Sequence, residues 1–210
     1  MANIDIYFQQ LARFIPVLHE DNLSRTSFKK HQQFHIEHVR HRLLAKVLQL
    51  QPSQLEIARS EYGKPYLKNV PQLEFNHSHS REHYALAISQ TMTDIGIDVE
   101  SLQRKVRFQA LAEHAFHPHE LEKWQQSGDS IEYWFRVWTA KEAILKACGL
   151  GIRMSLNELD TNIDIHQWQG RCQHSELGNF CYHQEIRDGA ILSLAWRETV
   201  QFPQIQFHSI

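Results

Sequence analysis

Hydrophobic positions along the chain recur at two periods. Over 26–50 the spacing is helical, with Phe34, Val39, Leu43, Leu44, Val47 and Leu48 returning at three- and four-residue steps. Gln51-Pro52-Ser53 then stops the helix. Residues 55–67 read as a strand, a turn at Gly63-Lys64-Pro65 and a return strand. LEFNHSHS (73–80) begins as a strand and passes into a polar loop. HYALAIS (83–89) and DIGIDVE (94–100) read as two strands joined by a short turn, an antiparallel hairpin. Residues 107–127 are helical, interrupted at His117-Pro118. The strongest helix covers 130–149, where Trp134, Phe135, Trp138, Ala143, Leu145 and Cys148 form a broad apolar stripe ended by Gly149 and Gly151. Beyond it IDIHQWQG, NFCYHQEI and GAILSLAWR are strand-like. An order of helix, strands, helices, strands predicts an α+β fold rather than a parallel α/β one. HYALAIS and AILSLAWR echo each other as small-residue strands late in their halves, too faintly to establish a duplication.

Composition narrows this picture without redirecting it. An apolar content of 42% and a charged content of 22% describe a soluble globular chain, one domain or two small halves sharing a core. A formal net charge of −2 removes the bulk basicity that would point to nucleic acid. Arg25, Lys29, Lys30, Arg40, Arg42 and Lys46 nevertheless make the first helix basic, by default a solvated face and otherwise a docking surface for a phosphate-rich ligand. No apolar run approaches the roughly 18–20 residues that span a bilayer, and residues 1–18 lack the order of a signal peptide. Cys148, Cys172 and Cys181 are spaced for neither a zinc knuckle nor a disulfide framework. The expectation is a cytoplasmic protein in a reducing compartment. With 15 histidines, any single one is weak evidence of a site.

The chemistry concentrates in a few stretches. In TDIGIDVES (93–101), strand alternation puts Ile95, Ile97 and Val99 on one face and Asp94, Gly96, Asp98 and Glu100 on the other. Asp98 and Glu100 are adjacent on that face and repel one another. Such a pair is either a solvated acidic face or part of a divalent-cation site, since Mg²⁺ takes one or two carboxylates plus substrate phosphates. Gly96 on the same face would let a ligand lie close to the backbone. In WTAKEAILK (138–146), Glu142 and Lys146 stand at i,i+4, the spacing of a surface salt bridge. On a helix otherwise dominated by bulky aromatics, however, Lys141, Glu142 and Lys146 fall near the edge of a buried face. Glu142 is then a third possible metal carboxylate and Lys146 a phosphate contact. In FNHSHS (75–80), Ser78 and His79 suit a phosphate cradle better than His77 and His79 suit zinc, because no third ligand sits nearby. Lys64, on a turn set by Gly63 and Pro65, is placed to meet an anion.

In order, GKP (63–65), FNHSHS (75–80), GIDVE (96–100) and WTAKEAILK with the glycines after it (138–151) resemble the 4′-phosphopantetheinyl transferases, specifically the longer, monomeric, surfactin-synthetase-activating type. The resemblance covers about 25–155; the last third matches only in its strand-like character. It implies transfer of the phosphopantetheine arm of coenzyme A to a serine of an apo acyl or peptidyl carrier protein, with Mg²⁺, releasing adenosine 3′,5′-bisphosphate. It further implies an α+β fold of two similar halves related by pseudo-twofold symmetry, residues 1–102 and 103–210, with the site between them. The carrier is expected to be an acidic helical bundle, and no nucleic acid or membrane is expected as a partner.

By this resemblance Asp98, Glu100 and Glu142 hold the metal, and Lys146 approaches the pyrophosphate. Ser78 and His79 bind coenzyme A phosphates, Lys64 contacts the nucleotide end, and Lys141 joins the coenzyme A-binding set. Glu120, in FHPHE, is a candidate general base beside Glu142 and a metal-bound water. Many relatives carry a second arginine about three residues after the first in the early helix; here Arg42 is followed by Ala45 and Lys46. Arg42, Lys46 and, further upstream, Lys30 are therefore the candidates for the 3′-phosphate. Two alternatives share these residues: a non-catalytic coenzyme A or nucleotide-binding module, and an Mg²⁺-dependent phosphohydrolase.

Overall fold

The computed structural model describes residues 2–16, 25–149 and 154–210. Gly151 lies outside the described residues, as does the side chain of Arg25. In chain order the elements are β1 (Asn3–Gln10), α1 (Arg25–Leu48), β2 (Ile57–Arg59), β3 (Pro65–Leu67), β4 (Glu74–His79), β5 (His83–Ser89), β6 (Gly96–Ser101), α2 (Phe108–Ala115), α3 (Pro118–Gln126), α4 (Ile131–Cys148), β7 (Gln169–His174), β8 (Gly178–Arg187), β9 (Ala190–Arg197) and β10 (Gln204–His208). The fold is α+β. One four-stranded sheet runs β10-β1-β5-β4 and a second runs β6-β9-β8-β7, with β2 and β3 forming a separate hairpin. Every pairing is antiparallel except that of β1 with β10.

Three apolar clusters stack these elements in layers. Ile36, Val39, Leu43 and Leu44 of α1 bury against Phe75, Tyr84, Leu86 and Ile88 of the first sheet. The opposite face of that sheet, with Ile4, Ile6, Ala85 and Ala87, meets Ile97, Val99, Leu192, Leu194 and Trp196 of the second sheet. The outer face of the second sheet receives α4 through Ala140, Ala143, Ile144 and Ala147. The order is thus α1, sheet, sheet, α4. Strand β5 is buried on both faces, large residues toward α1 and alanines toward the second sheet.

Local sequence explains the helix ends. Pro118 at the first turn and a capping box between His117 and Glu120 start α3, so the interruption of 107–127 is a true break between two helices. Ser130 Oγ caps α4 by accepting from the Tyr133 amide, and Gly149 closes it in the left-handed conformation at φ 71°.

Four sequence expectations are corrected. β5 and β6 do not form a hairpin: the chain turns at Asp94, φ 51°, and crosses to the second sheet, where β6 pairs with β9. The strand at 73–80 does not dissolve at its polar end but runs as β4 through His79, because Asn76 and Ser78 have buried polar partners on β6. Residues 163–168 are irregular, with a turn at 165–166, and strand structure begins only at Gln169. Phe34 points to solvent, while Ile36 takes the buried position on α1. Strands β1 and β10 were not anticipated, although both alternate, with Ile4, Ile6 and Phe8 in one and Ile205 and Phe207 in the other.

Strand partners also cross the division at residue 102. Strand β6 pairs with β9 and β10 with β1.

Candidate active site

The site begins with the alternation of β6. Ile97 and Val99 are 0% and 1% exposed between the sheets, which turns Gly96, Asp98 and Glu100 toward α4. A Cβ at Gly96 would lie 2.1 Å from the carbonyl oxygen of Ala143 and 2.4 Å from the amide of Ala147. The missing side chain therefore makes room for the α4 backbone, not for a ligand as the sequence suggested. That close approach lowers Glu142 and Lys146 onto the carboxylates of β6. Asp94, outside the group, forms an ion pair with Arg197 at 2.9 Å.

Strand β4 closes the other side. Asn76 Oδ1 accepts the Ile97 amide at 3.0 Å, so a side chain joins the margins of the two sheets. Two residues on, Ser78 Oγ donates to Asp98 Oδ1 at 2.7 Å. Lys146 Nζ donates to the same oxygen at 2.7 Å, to Ser78 Oγ at 2.9 Å and to the Ile97 carbonyl at 3.3 Å. Asp98 Oδ2 is buried with no partner among the described residues.

Burial, and then the neighbouring Asp98, push the Glu100 carboxyl up to about 7, against the pull of Arg104 with which it pairs. The same two causes, in the same order, raise Glu142, opposed by Lys146. Three interacting carboxylates, one with an unpartnered buried oxygen, are a donor set suited to a hard, oxygen-seeking cation. By donor chemistry these residues suit Mg²⁺.

A cavity opens beside this cluster, lined by Gly63, Lys64, His77, Glu142, Lys146 and Gly149. Lys64 Nζ donates to the Ala147 carbonyl at 2.9 Å, at the C-terminus of α4, and to Glu74 at 3.2 Å. Arg40 Nη1 donates to His77 Nε2 at 3.0 Å. Burial and the Arg40 charge hold His77 down to about 3, so it stays neutral. His79 lies on the exposed side, in a shallow groove with Lys29, Lys30 and Phe34.

Comparison with known proteins decides the family. The profile of the 4′-phosphopantetheinyl transferase superfamily matches residues 94–195, from the turn before β6 almost to the end of β9. A putative 4′-phosphopantetheinyl transferase of Synechocystis sp. is 30% identical over 165 residues, covering 73% of this chain and 67% of that protein. The chain belongs to the 4′-phosphopantetheinyl transferase superfamily. It is also similar to 4′-phosphopantetheinyl transferase HetI of Nostoc sp., 36% identical over 115 residues (52% of this chain, 48% of that one). Sfp of Bacillus subtilis is 28% identical over 130 residues, 60% and 54% of the two chains. The matches to HetI and Sfp span about half of each relative's length.

In this transferase-family chain the fold gathers Ser78, Asp98, Glu100, Glu142 and Lys146, and sets Lys64 on the cavity rim. Glu120 and Lys141 lie apart from this group. They form a sealed ion pair at 2.7 Å, each 1% exposed. Glu120 also accepts from the His117 amide and from the Thr161 amide and hydroxyl, while Lys141 donates to the carbonyls of Leu156 and Leu159. In this structure both are buried and occupied by protein partners, and neither lines the cavity beside the carboxylates. Arg42 and Lys46 are exposed on α1. Arg42 is about 200° around the helix from the inward-facing Arg40. Sequence reasoning named Arg40 only as one of the basic residues of the first helix, weighed His77 only as a zinc ligand, and passed over Arg104. The available signals were the helical phase of Arg40 with Ile36 and Leu44, and the i,i+4 spacing of Glu100 and Arg104.

Among the described residues no helix is long and apolar enough to cross a membrane. Cys172 and Cys181 are buried free thiols.

Proposed function

We propose that this chain transfers the 4′-phosphopantetheine group of coenzyme A to a serine of an apo acyl or peptidyl carrier protein, depends on Mg²⁺, and works as a monomer in the cytoplasm. One observation carries the reading: Ser78, Asp98, Glu100, Glu142 and Lys146 converge where β4, β6 and α4 meet, beside a cavity, and one buried carboxylate oxygen is unpartnered.

Asp98, Glu100 and Glu142 would hold Mg²⁺, which when bound neutralises charge on the coenzyme A pyrophosphate. The carrier serine Oγ forms a bond to the phosphorus that bears pantetheine. The bond from that phosphorus to the bridging oxygen breaks, and adenosine 3′,5′-bisphosphate leaves with the electron pair. Glu142 is the candidate among the cavity residues to receive the serine proton. Lys146 places a fixed positive charge beside the reacting phosphates, a contribution of about 3 kcal/mol for one such preorganised group. Lys64 and Arg40 lie on the cavity side for the nucleotide end, and Lys30 with His79 offers an outer phosphate contact.

The test is incubation with coenzyme A, Mg²⁺ and apo carriers of fatty-acid, polyketide and nonribosomal-peptide type, followed by intact mass. A gain of one phosphopantetheine on the carrier is expected. Hydrolysed coenzyme A with unmodified carrier would make the protein a phosphohydrolase instead, and binding without turnover a coenzyme A-binding module.

A further inference from the structure

A second group of metal-ligating atoms lies outside the site above, on the far side of the sealed pair. His117 Nδ1 is 3.4 Å from Asp160 Oδ2, and His119 Nδ1 is 3.2 Å from the same oxygen. All three atoms fall within 4.8 Å of one another. Ligands bound at about 2.0–2.1 Å in a tetrahedron stand about 3.3 Å apart, so both measured edges already match.

The geometry is held from below. Glu120 takes the His117 amide at 2.8 Å on one oxygen, and the Thr161 amide at 2.8 Å and hydroxyl at 2.5 Å on the other. One buried carboxylate thus fixes both segments that carry the three side chains. Asp160 Oδ1 accepts the Asn162 amide at 2.8 Å, which aims Oδ2 at the imidazoles. His117 Nδ1 also caps α3 by accepting the His119 amide at 3.4 Å, a long hydrogen bond that a bound ion would displace. The His119 side chain is 71% exposed, leaving the remaining side of the group open to solvent.

We propose that His117, His119 and Asp160 form a site for a borderline divalent ion of zinc type, with one position open to water or another ligand. Two imidazole nitrogens and one carboxylate oxygen select such an ion over Mg²⁺, which prefers oxygen alone. This site is independent of the transfer reaction.

The test titrates Zn²⁺ into the full, tag-free chain against a chromophoric chelator, with Mg²⁺ in excess to occupy the carboxylate cluster. Co²⁺ is used in parallel for its visible absorption. One equivalent is expected to bind, and His119→Ala and Asp160→Asn should each weaken it at least tenfold while phosphopantetheinyl transfer is unchanged. Asp160→Asn keeps the turn to Asn162 and removes only the charge. No binding above the chelator, or equal binding by wild type and both variants, would overturn the site. So would loss of binding in His31→Ala instead, because His31 and His35 form the competing i,i+4 pair on α1 with their Nε2 atoms 3.0 Å apart.

Discussion

Helix α4 carries two lysines five residues apart, and each sits 2.7 Å from a carboxylate. Lys141 meets Glu120 with both side chains 1% exposed and every carboxylate oxygen occupied. Lys146 meets Asp98 with its own side chain 29% exposed, and one Asp98 oxygen is unpartnered. Five residues rotate the helix by about 140°, so the two lysines leave it on different sides. Distance and charge are the same in both pairs. What separates structural from chemical use is whether the pair has spare capacity and an opening. The first pair is saturated and joins α3, α4 and the 156–161 segment. The second borders a cavity and shares its carboxylate with Ser78.

The largest contrast should come from breaking one partner of each pair. Asp98→Ala is expected to reduce transfer by about 10²–10³-fold or more, with the urea midpoint little changed. Near-full activity in that variant would remove Asp98 from the reaction. Glu120→Ala should do the reverse. Stranding Lys141 costs about 3–5 kcal/mol of stability, while molecules still folded at low temperature keep their turnover. Glu120→Leu with Lys141→Met should recover most of the lost stability, because well-packed apolar replacements of buried pairs are often neutral. Failure of the double variant to recover would mean that the hydrogen bonds to Thr161 and His117 matter more than the charge.

Gly96→Ala is intermediate. Its Cβ would press on the Ala143 carbonyl, costing about 1–3 kcal/mol, and would lift Glu142 and Lys146 away from Asp98. Transfer should fall and thermal stability with it. Loss of neither would show that α4 can slide without consequence.

The smallest effect is a pH dependence. Glu100, pushed up to about 7, and Glu142, also raised, keep their protons to higher pH folded than unfolded. Between the ordinary carboxylate range and about pH 7 the folded chain therefore binds more protons than the unfolded one. Without divalent cation, their contribution to stability is present on the acid side and is lost as pH rises through this window. The melting temperature of wild type relative to Glu100→Gln should decline from pH 5 to pH 8, and Mg²⁺ should offset the decline. A flat difference would show that Glu100 is not raised by its surroundings.

The comparison also marks how far the sequence could be read. Alternation in β6 and the stripe of α4 were legible because each is a strong period over a long segment. The same periods set Asp98, Glu100, Glu142 and Lys146 facing a common space. Burial of Glu120 and Lys141 was not legible, since one lysine position on α4 looks like the other until Thr161 and the Leu156 and Leu159 carbonyls are in place. Gly96 was noticed for the right reason, close approach, but whether a ligand or a helix approaches is decided by tertiary packing. Arg40 was hidden by its neighbour Arg42, because composition counts both while only helical phase separates them. Strands β1 and β10 depend on each other across the chain, and their alternation, Ile4, Ile6 and Phe8 in one and Ile205 and Phe207 in the other, went unread.

That last pairing sets a clock. The ladder between β1 and β10 joins residues separated by roughly 200 positions, such as Asn3 and Gln204. At about 5–20 residues per second of synthesis, β1 waits on the order of 10–40 s for its outer neighbour, with β5 able to cover only its other side. A nascent chain in this interval presents an open edge, the kind of surface that other strands add to. The protein's exposure to misassembly should thus peak during its manufacture rather than in its finished form.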